Sequence, residues 1–232
     1  MTTDAPGLVP LTDSATAERW ASEVLAARGL WRRRHPQLPY YSLGSAVFLD
    51  SVGADGTPYR DELPAANAFL MGRFAGLYEL LFSRLAELLG SPTVPAEGLA
   101  LPGFQIMEPH ADFTRPVAAM HHDLQYRKLR WWNAAVDRPC EQASFTVPLL
   151  VPTGGAGVVF WLHSTGPTGD HRLDALRREA IDYAPGAMLL HSGHELHQIA
   201  PLHPSSLLSP DRPRITLQGH ALKIDDVWQC YW

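Results

Sequence analysis

The chain has only two cysteines in 232 residues, Cys140 and Cys230, and they stand far apart. Two thiols outside any Cys-x-x-Cys pair make no disulfide framework, so both are expected free, in a reducing compartment. No apolar run approaches the roughly 20 residues that a membrane helix needs. The stretch Met1–Pro10 lacks the basic and apolar segments of a secretory leader. A cytoplasmic protein with no membrane partner is therefore expected. Charge is sparse too: Asp, Glu, Lys and Arg make up 19% of residues, and the formal net charge is -5 at pH 7. That balance offers no basic face and excludes nucleic acid as the expected partner. There is no internal repeat and no low-complexity tract, which argues against repeat architectures.

What is present is an ordinary globular balance, with 46% hydrophobic residues. The length fits one core, or one core with a helical appendage. A small-molecule enzyme is the default for such a chain. Asp13 to Arg28 is predicted as a first helix, with Asp13 or Ser14 as its cap and Gly29 as its stop. Apolar residues at helical spacing from Leu70 to Leu88 predict a second, with Pro64 in its first turn and Gly90 ending it. A short strand is expected within Tyr41–Asp50.

From Leu101 onward, short apolar stretches alternate with Pro and Gly. The predicted strands are Phe104–Met107, Val117–His121, Ser144–Val151, Val158–His163, Ala187–His191, His197–Ala200, Arg214–Leu222 and Val227–Trp232. Many short strands with such punctuation predict a sandwich or barrel. Arg172–Ala180 is expected as a short helix, and Pro201–Pro213 as an exposed loop.

Ten of the eleven histidines fall between His110 and His220. In Met120-His121-His122-Asp123, strand alternation would place His121 and Asp123 on one face and His122 on the other. An imidazole and a carboxylate side by side make half of a metal site, and two histidines with one carboxylate suit iron(II) with open positions. The same short pattern also arises by chance in exposed segments. A third ligand must come from elsewhere, and in Pro185–Pro201 the residues His191, His194 and His197 compete for the role. In the following strand, Arg214, Thr216, Gln218 and His220 share one face. An inward Arg214 is costly unless it binds an anion, and a hydroxyl two residues on completes a carboxylate clamp. The alternative is an outward Arg214 with Ile215 and Leu217 pointing to the core.

The order His-x-Asp, distal His, Arg-x-Thr resembles the iron(II)/2-oxoglutarate-dependent dioxygenase superfamily. Residues 185–191 resemble the strand before that family's distal ligand, and His197-Gln198-Ile199-Ala200-Pro201 resembles the ligand and the segment after it. Phe145–Trp161 resembles the hairpin between the two metal motifs. The resemblance covers roughly the C-terminal half. It implies a mainly β protein with N-terminal helices on a double-stranded β-helix (jelly-roll, cupin-like) core: residues 1–100 as a helical region packed on a catalytic core of residues 101–232, in one integrated domain. It selects His197 over His191 and His194, and makes His121, Asp123 and His197 the iron(II) ligands. Arg214 and Thr216 then bind 2-oxoglutarate, with dioxygen as second co-substrate. The implied reaction is hydroxylation of an unactivated carbon of an amino acid or peptide in a biosynthetic pathway, with succinate and carbon dioxide released. Related halogenases replace the carboxylate with a small residue, so Asp123 argues against halogenation. The stretch from His197 to Arg214 is long for the family, and no motif places the N-terminal helices in a subfamily. The rival activity is that of a cupin-like dioxygenase or isomerase that does not use 2-oxoglutarate.

Other residues have weaker claims. His191 and His194 are expected to be supporting residues, and His122 and His110 surface neighbours. His163 and His220 are candidates for the barrel interior, and Gln105 for the keto-acid end. Tyr126, Arg127 and Trp131 lie in a basic and aromatic segment close to the metal motif. They are candidates for a substrate wall, with amphipathic packing an equal alternative.

Overall fold

The computed structural model describes residues 6–51, 57–116, 118–137, 140–163 and 176–232. Strand β1 (Gly7–Pro10) leads into helix α1 (Ser14–Ala26). Asp13 caps α1, its carboxylate accepting the Thr16 N–H at 2.8 Å, a contact worth about 1 kcal/mol. Strands β2 (Arg32–Arg33) and β3 (Tyr40–Leu43) follow. The strand expected within Tyr41–Asp50 stops early because Gly44 takes φ +103°, a backbone that favours glycine. The chain then makes a one-turn helix, α2 (Val47–Asp50).

Helix α3 spans Thr57–Leu89, runs through Pro64 instead of starting there, and departs from helical geometry at Phe74. Proline removes one i to i−4 hydrogen bond, and the buried face formed by Leu70, Phe74, Leu77, Leu81 and Leu85 holds the helix on the protein regardless. Each such buried side chain contributes roughly 1.5–3 kcal/mol.

The remaining strands are β4 (Thr93–Pro95), β5 (Gly103–Met107), β6 (Gln142–Leu150), β7 (Gly157–His163), β8 (Leu176–Asp182), β9 (Ala187–His191), β10 (Leu196–Ile199), β11 (Arg214–Ile224) and β12 (Val227–Tyr231). The larger sheet has the order β1-β9-β6-β11-β5-β3-β2, with β12 and β4 joined through β11. The smaller sheet is β10-β7-β8, extended by an isolated antiparallel bridge between His121 and His197. From β5 onward the chain passes from one sheet to the other and back, which is the double-stranded β-helix. Helices α1 and α3 cover the outer face of the larger sheet, against Phe104, Ile106, Val147, Ile215 and Leu217. Between the sheets lie Met107, Phe113, Val158, Phe160, Tyr183 and Leu189. The first hundred residues also give strands to the larger sheet: β1 pairs with β9 at one edge, and β3 pairs with β5 toward the other.

Three local expectations are corrected. Residues 176–182 form β8, not a helix, because pairing along all of β7 overrides their helical propensity; residues 172–175 lie outside the described set. Residues 118–121 form no regular strand, only the bridge at His121, and Val117 lies outside the described set. Within Pro201–Pro213, Leu202 and Ser206 are buried and Pro204–Leu208 form a 3-10 helix, because the Leu202 N–H reaches back to the Phe113 carbonyl at 2.7 Å. Among the described residues, no helix is long and apolar enough to cross a membrane.

Candidate metal centre and adjoining cavity

His121 and Asp123 meet through backbone docking, not strand alternation. His121 and His197 exchange two backbone hydrogen bonds of 2.9 Å, and the Asp123 N–H donates to the Gly193 carbonyl at 2.8 Å. Residues 121–123 thus lie along the turn between β9 and β10. Gly193 sits at that turn with φ +79°, and a Cβ there would meet Ser144 Oγ at 2.8 Å and Asp123 Cβ at 3.2 Å. The close approach of the two segments requires glycine.

Ligand atoms of His121, Asp123 and His197 all lie within 4.8 Å of one another. His121 Nδ1 lies 3.0 Å from the Ala119 carbonyl, and His197 Nδ1 lies 2.9 Å from the Glu195 carbonyl. A carbonyl only accepts, so both Nδ1 atoms carry the proton and both Nε2 lone pairs are free for a metal. Burial depresses the His197 pKa to about 4, against the opposing pull of Asp123, which keeps the imidazole neutral as a ligand must be. Burial pushes the Asp123 carboxyl up, yet the imidazoles of His220, His197 and His191 bring it well below the usual carboxylate range.

His191 and His220 are the further imidazoles near Asp123. His191 Nε2 lies 3.7 Å and His220 Nδ1 4.0 Å from Asp123 Oδ2. They share one row across the larger sheet, His220 opposite Ser144 and Ser144 opposite His191. Ser144 Oγ holds His220 Nδ1 at 3.0 Å, and Glu195 lies 3.2 Å from His191 Nδ1. His122 and His194 are exposed, and His110 caps the 3-10 helix Ala111–Thr114. The His163 side chain lies outside the described set.

A cavity of about 420 Å³ opens beside the three residues. Its inner wall includes Tyr40, Gln105, Met107, Thr146, Tyr183 and Gln218. Arg214 lies behind that wall, 1% exposed. It faces Met107 on β5, and Met107 faces Tyr40 on β3. One Arg214 nitrogen donates to Met107 Sδ at 3.0 Å, and the Tyr183 ring lies 5.2 Å from the guanidinium. Arg214 Nε and Nη2, Thr216 Oγ1 and Gln105 Oε1 are buried without a hydrogen-bond partner among the described residues. A buried guanidinium with no carboxylate partner is costly unless a ligand supplies the anion.

The sequence brought Arg214, Thr216, Gln105 and His220 to the right face, but it did not single out Tyr40, Tyr183, Gln125 or Glu195. Tyr40 sits on a strand outside the motif-bearing half, and only strand pairing reveals its place. Of the suspected substrate wall, none lines the cavity. Tyr126 is buried in a separate cluster with Tyr59, Leu129 and Val136. Trp131 packs edge-on against Tyr59, and Arg127 is exposed above the Tyr126 ring. This is the amphipathic-packing alternative, driven by burial of aromatic surface against α3.

No family model matches the chain, and no curated protein matches it in sequence. Solved structures do. The non-haem alpha-ketoglutarate-dependent epimerase SnoN from nogalamycin biosynthesis is similar, with a TM-score of 0.53, 16% identity, and coverage of 94% of this chain and 80% of that one. SnoN is also known in complex with Fe3+, alpha-ketoglutarate and nogalamycin RO. An N-substituted L-amino acid dioxygenase from Burkholderia ambifaria AMMD, in complex with alpha-ketoglutarate, matches with a TM-score of 0.50 and 14% identity over 98% of this chain and 86% of its own. The chain therefore has the double-stranded β-helix fold of the non-haem iron enzymes that use this keto acid.

Proposed function

We propose that this protein is an iron(II)- and 2-oxoglutarate-dependent oxygenase that hydroxylates an unactivated carbon of a small organic substrate. The observation that carries the reading is the orphaned Arg214 guanidinium behind the same cavity that the His121, Asp123 and His197 ligand atoms border. Those three residues fit a metal, because two Nε2 lone pairs and one carboxylate converge and leave half of the coordination sphere open. Bound iron(II) supplies the activation of dioxygen, with 2-oxoglutarate as the two-electron donor. The balance would place one dioxygen oxygen in succinate, with loss of carbon dioxide, and the other in the substrate C–H bond as a hydroxyl.

The chain's own groups bind and orient. Arg214 pairs with the distal carboxylate of the keto acid, and Thr216 adds a hydroxyl donor. Tyr40 and Tyr183 line the wall between Arg214 and the metal ligands. Burial raises the Tyr40 pKa to about 12, so its phenol stays protonated and can donate. A neutral hydrogen bond is worth about 0.5–1.5 kcal/mol, or roughly twofold to tenfold in affinity. Tyr40→Phe is thus expected to weaken 2-oxoglutarate binding by about that factor, read by anaerobic titration of the iron–keto-acid charge-transfer band.

A specific arrangement supports a second reading. If His191 joined the metal, three imidazoles and a carboxylate would resemble a cupin-like centre that does not need 2-oxoglutarate. The test is a substrate screen by mass spectrometry under iron and ascorbate, coupled to succinate detection. Succinate formed in step with a product carrying one added oxygen supports the oxygenase. Oxidised product without succinate supports the cupin-like reading.

A further inference from the structure

We propose that the second substrate is uncharged and mainly apolar where it meets the protein, held against Leu38, Phe48, Leu49 and Phe113, and that it is not a free amino acid. The inference rests on Arg214 serving 2-oxoglutarate, since that leaves no unpaired cation among the described wall residues for the second substrate.

The outer part of the cavity is built by three separate segments. Leu38 precedes β3, Phe48 and Leu49 belong to α2, and Phe113 lies shortly before the His-x-Asp segment. Ala118 and Ala119 complete this wall beside His121. Leu38, Phe48 and Leu49 are half-buried, whereas Phe113 is fully buried, so the wall runs from rim to interior. Phe48 is braced edge-on by Trp232, with ring centroids 6.4 Å apart. A rigid apolar wall of this kind gains most from an apolar partner that displaces its water.

Charge decides the rest. Apart from imidazoles, the ionisable groups on the described wall that are charged at neutral pH are Arg34 and Asp123. Asp123 belongs to the metal centre. Arg34 is already engaged: its two terminal nitrogens reach the two Asp50 oxygens at 2.5 and 2.8 Å, and its Nε donates to Ser42 Oγ at 2.6 Å. Asp50 also accepts from the Ala46 N–H at 2.8 Å and from Arg32 at 2.7 Å. Burial raises the Asp50 pKa, but these partners prevail and lower it overall. Turning Arg34 toward a substrate carboxylate would break both of its hydrogen bonds to Asp50 and leave that buried carboxylate with Arg32 as its one charged partner among the described residues. A free amino acid would bring an ammonium and a carboxylate against Leu, Phe and Ala side chains, and both would lose water without a partner. His35 keeps one neutral donor, since its Nδ1 accepts the N–H groups of Gln37 and Leu38; that suits a carbonyl, ether or hydroxyl oxygen.

The test uses four probes of one body: 3-phenylpropan-1-ol, 3-phenylpropan-1-amine, 3-phenylpropanoate and phenylalanine. Each is titrated calorimetrically into the full chain holding Mn(II) and 2-oxoglutarate without oxygen. Keto-acid occupancy is measured separately by equilibrium dialysis. Failure of occupancy counts against the oxygenase reading, while the ranking of alcohol, amine and zwitterion can still be read. The alcohol is expected to bind at least about tenfold more tightly than each charged probe. Leu38→Ser and Phe48→Ser, both at the half-buried rim, should each lower alcohol affinity several-fold without changing keto-acid occupancy. An alcohol that binds no better than phenylalanine or the other charged probes overturns the proposal, as does an alcohol affinity that neither substitution changes.

Discussion

Arg214→Ala is expected to weaken 2-oxoglutarate binding by more than about tenfold while leaving iron binding nearly intact. Losing one half of a buried charge-assisted pair costs on the order of 2–5 kcal/mol, and about 1.4 kcal/mol is a factor of ten. The guanidinium is fully buried, and its Nε and Nη2 have no partner among the described residues. Its removal therefore deletes no intramolecular ion pair, and the fold should tolerate alanine better than most buried truncations. Arg214 stands on β11, while the metal-binding candidates stand on β10 (His197) and on the segment before β6 (His121 and Asp123). The measurement is anaerobic titration of the charge-transfer band in wild type and variant, with iron content determined on the same samples. An unchanged keto-acid affinity in a folded, iron-loaded Arg214→Ala protein would remove the main support for the co-substrate. The effect should exceed that of Tyr40→Phe, because a charged donor is lost instead of a neutral one.

Alanine at His121, Asp123 or His197 should each abolish iron-dependent turnover. Loss of a group that merely supports a metal ligand costs about 10–100-fold, and loss of a ligand itself should cost more. His122→Ala is the control: its side chain is exposed and its Nδ1 meets only the His194 carbonyl, at 2.8 Å. It should keep substantial activity. His191→Ala should retain the metal, since the two other imidazoles already present free Nε2 atoms. Metal stoichiometry and keto-acid decarboxylation rates decide the matter. A dead His122→Ala beside an active His121→Ala would reverse the assignment of the two histidines.

Much of this centre was legible in the sequence because it depends on residue type and order over short spans. His121 and Asp123 are two residues apart, and Arg214 and Thr216 are neighbours on one strand face. The reason they converge was not legible. Alternation along a strand would have placed His121 and Asp123 together, yet the chain there is irregular and is held by hydrogen bonds to His197 and Gly193. Those contacts lie roughly seventy residues away in sequence, and no local pattern encodes them. The same holds for β8, where Leu176–Asp182 has helix-forming residues and becomes a strand because β7 offers a full row of partners.

The sequence by itself determined the alternation that puts Ile215 and Leu217 on one face and Arg214 and Thr216 on the other, the helical apolar stripe of α3, and the order of metal-binding residue types. These are local properties, set by side-chain period and chemistry. Only the tertiary structure decided which of the surrounding groups border the cavity. Tyr40 reaches the Arg214 row because β3 pairs with β5, and Leu38, Phe48 and Phe113 form one wall although they come from three separate segments. It also turned Tyr126 and Trp131 away into the cluster under α3 and closed Arg34 on Asp50. Such placements follow from long-range packing and from the cost of burying an unpaired charge, which act between segments that a linear chain keeps apart.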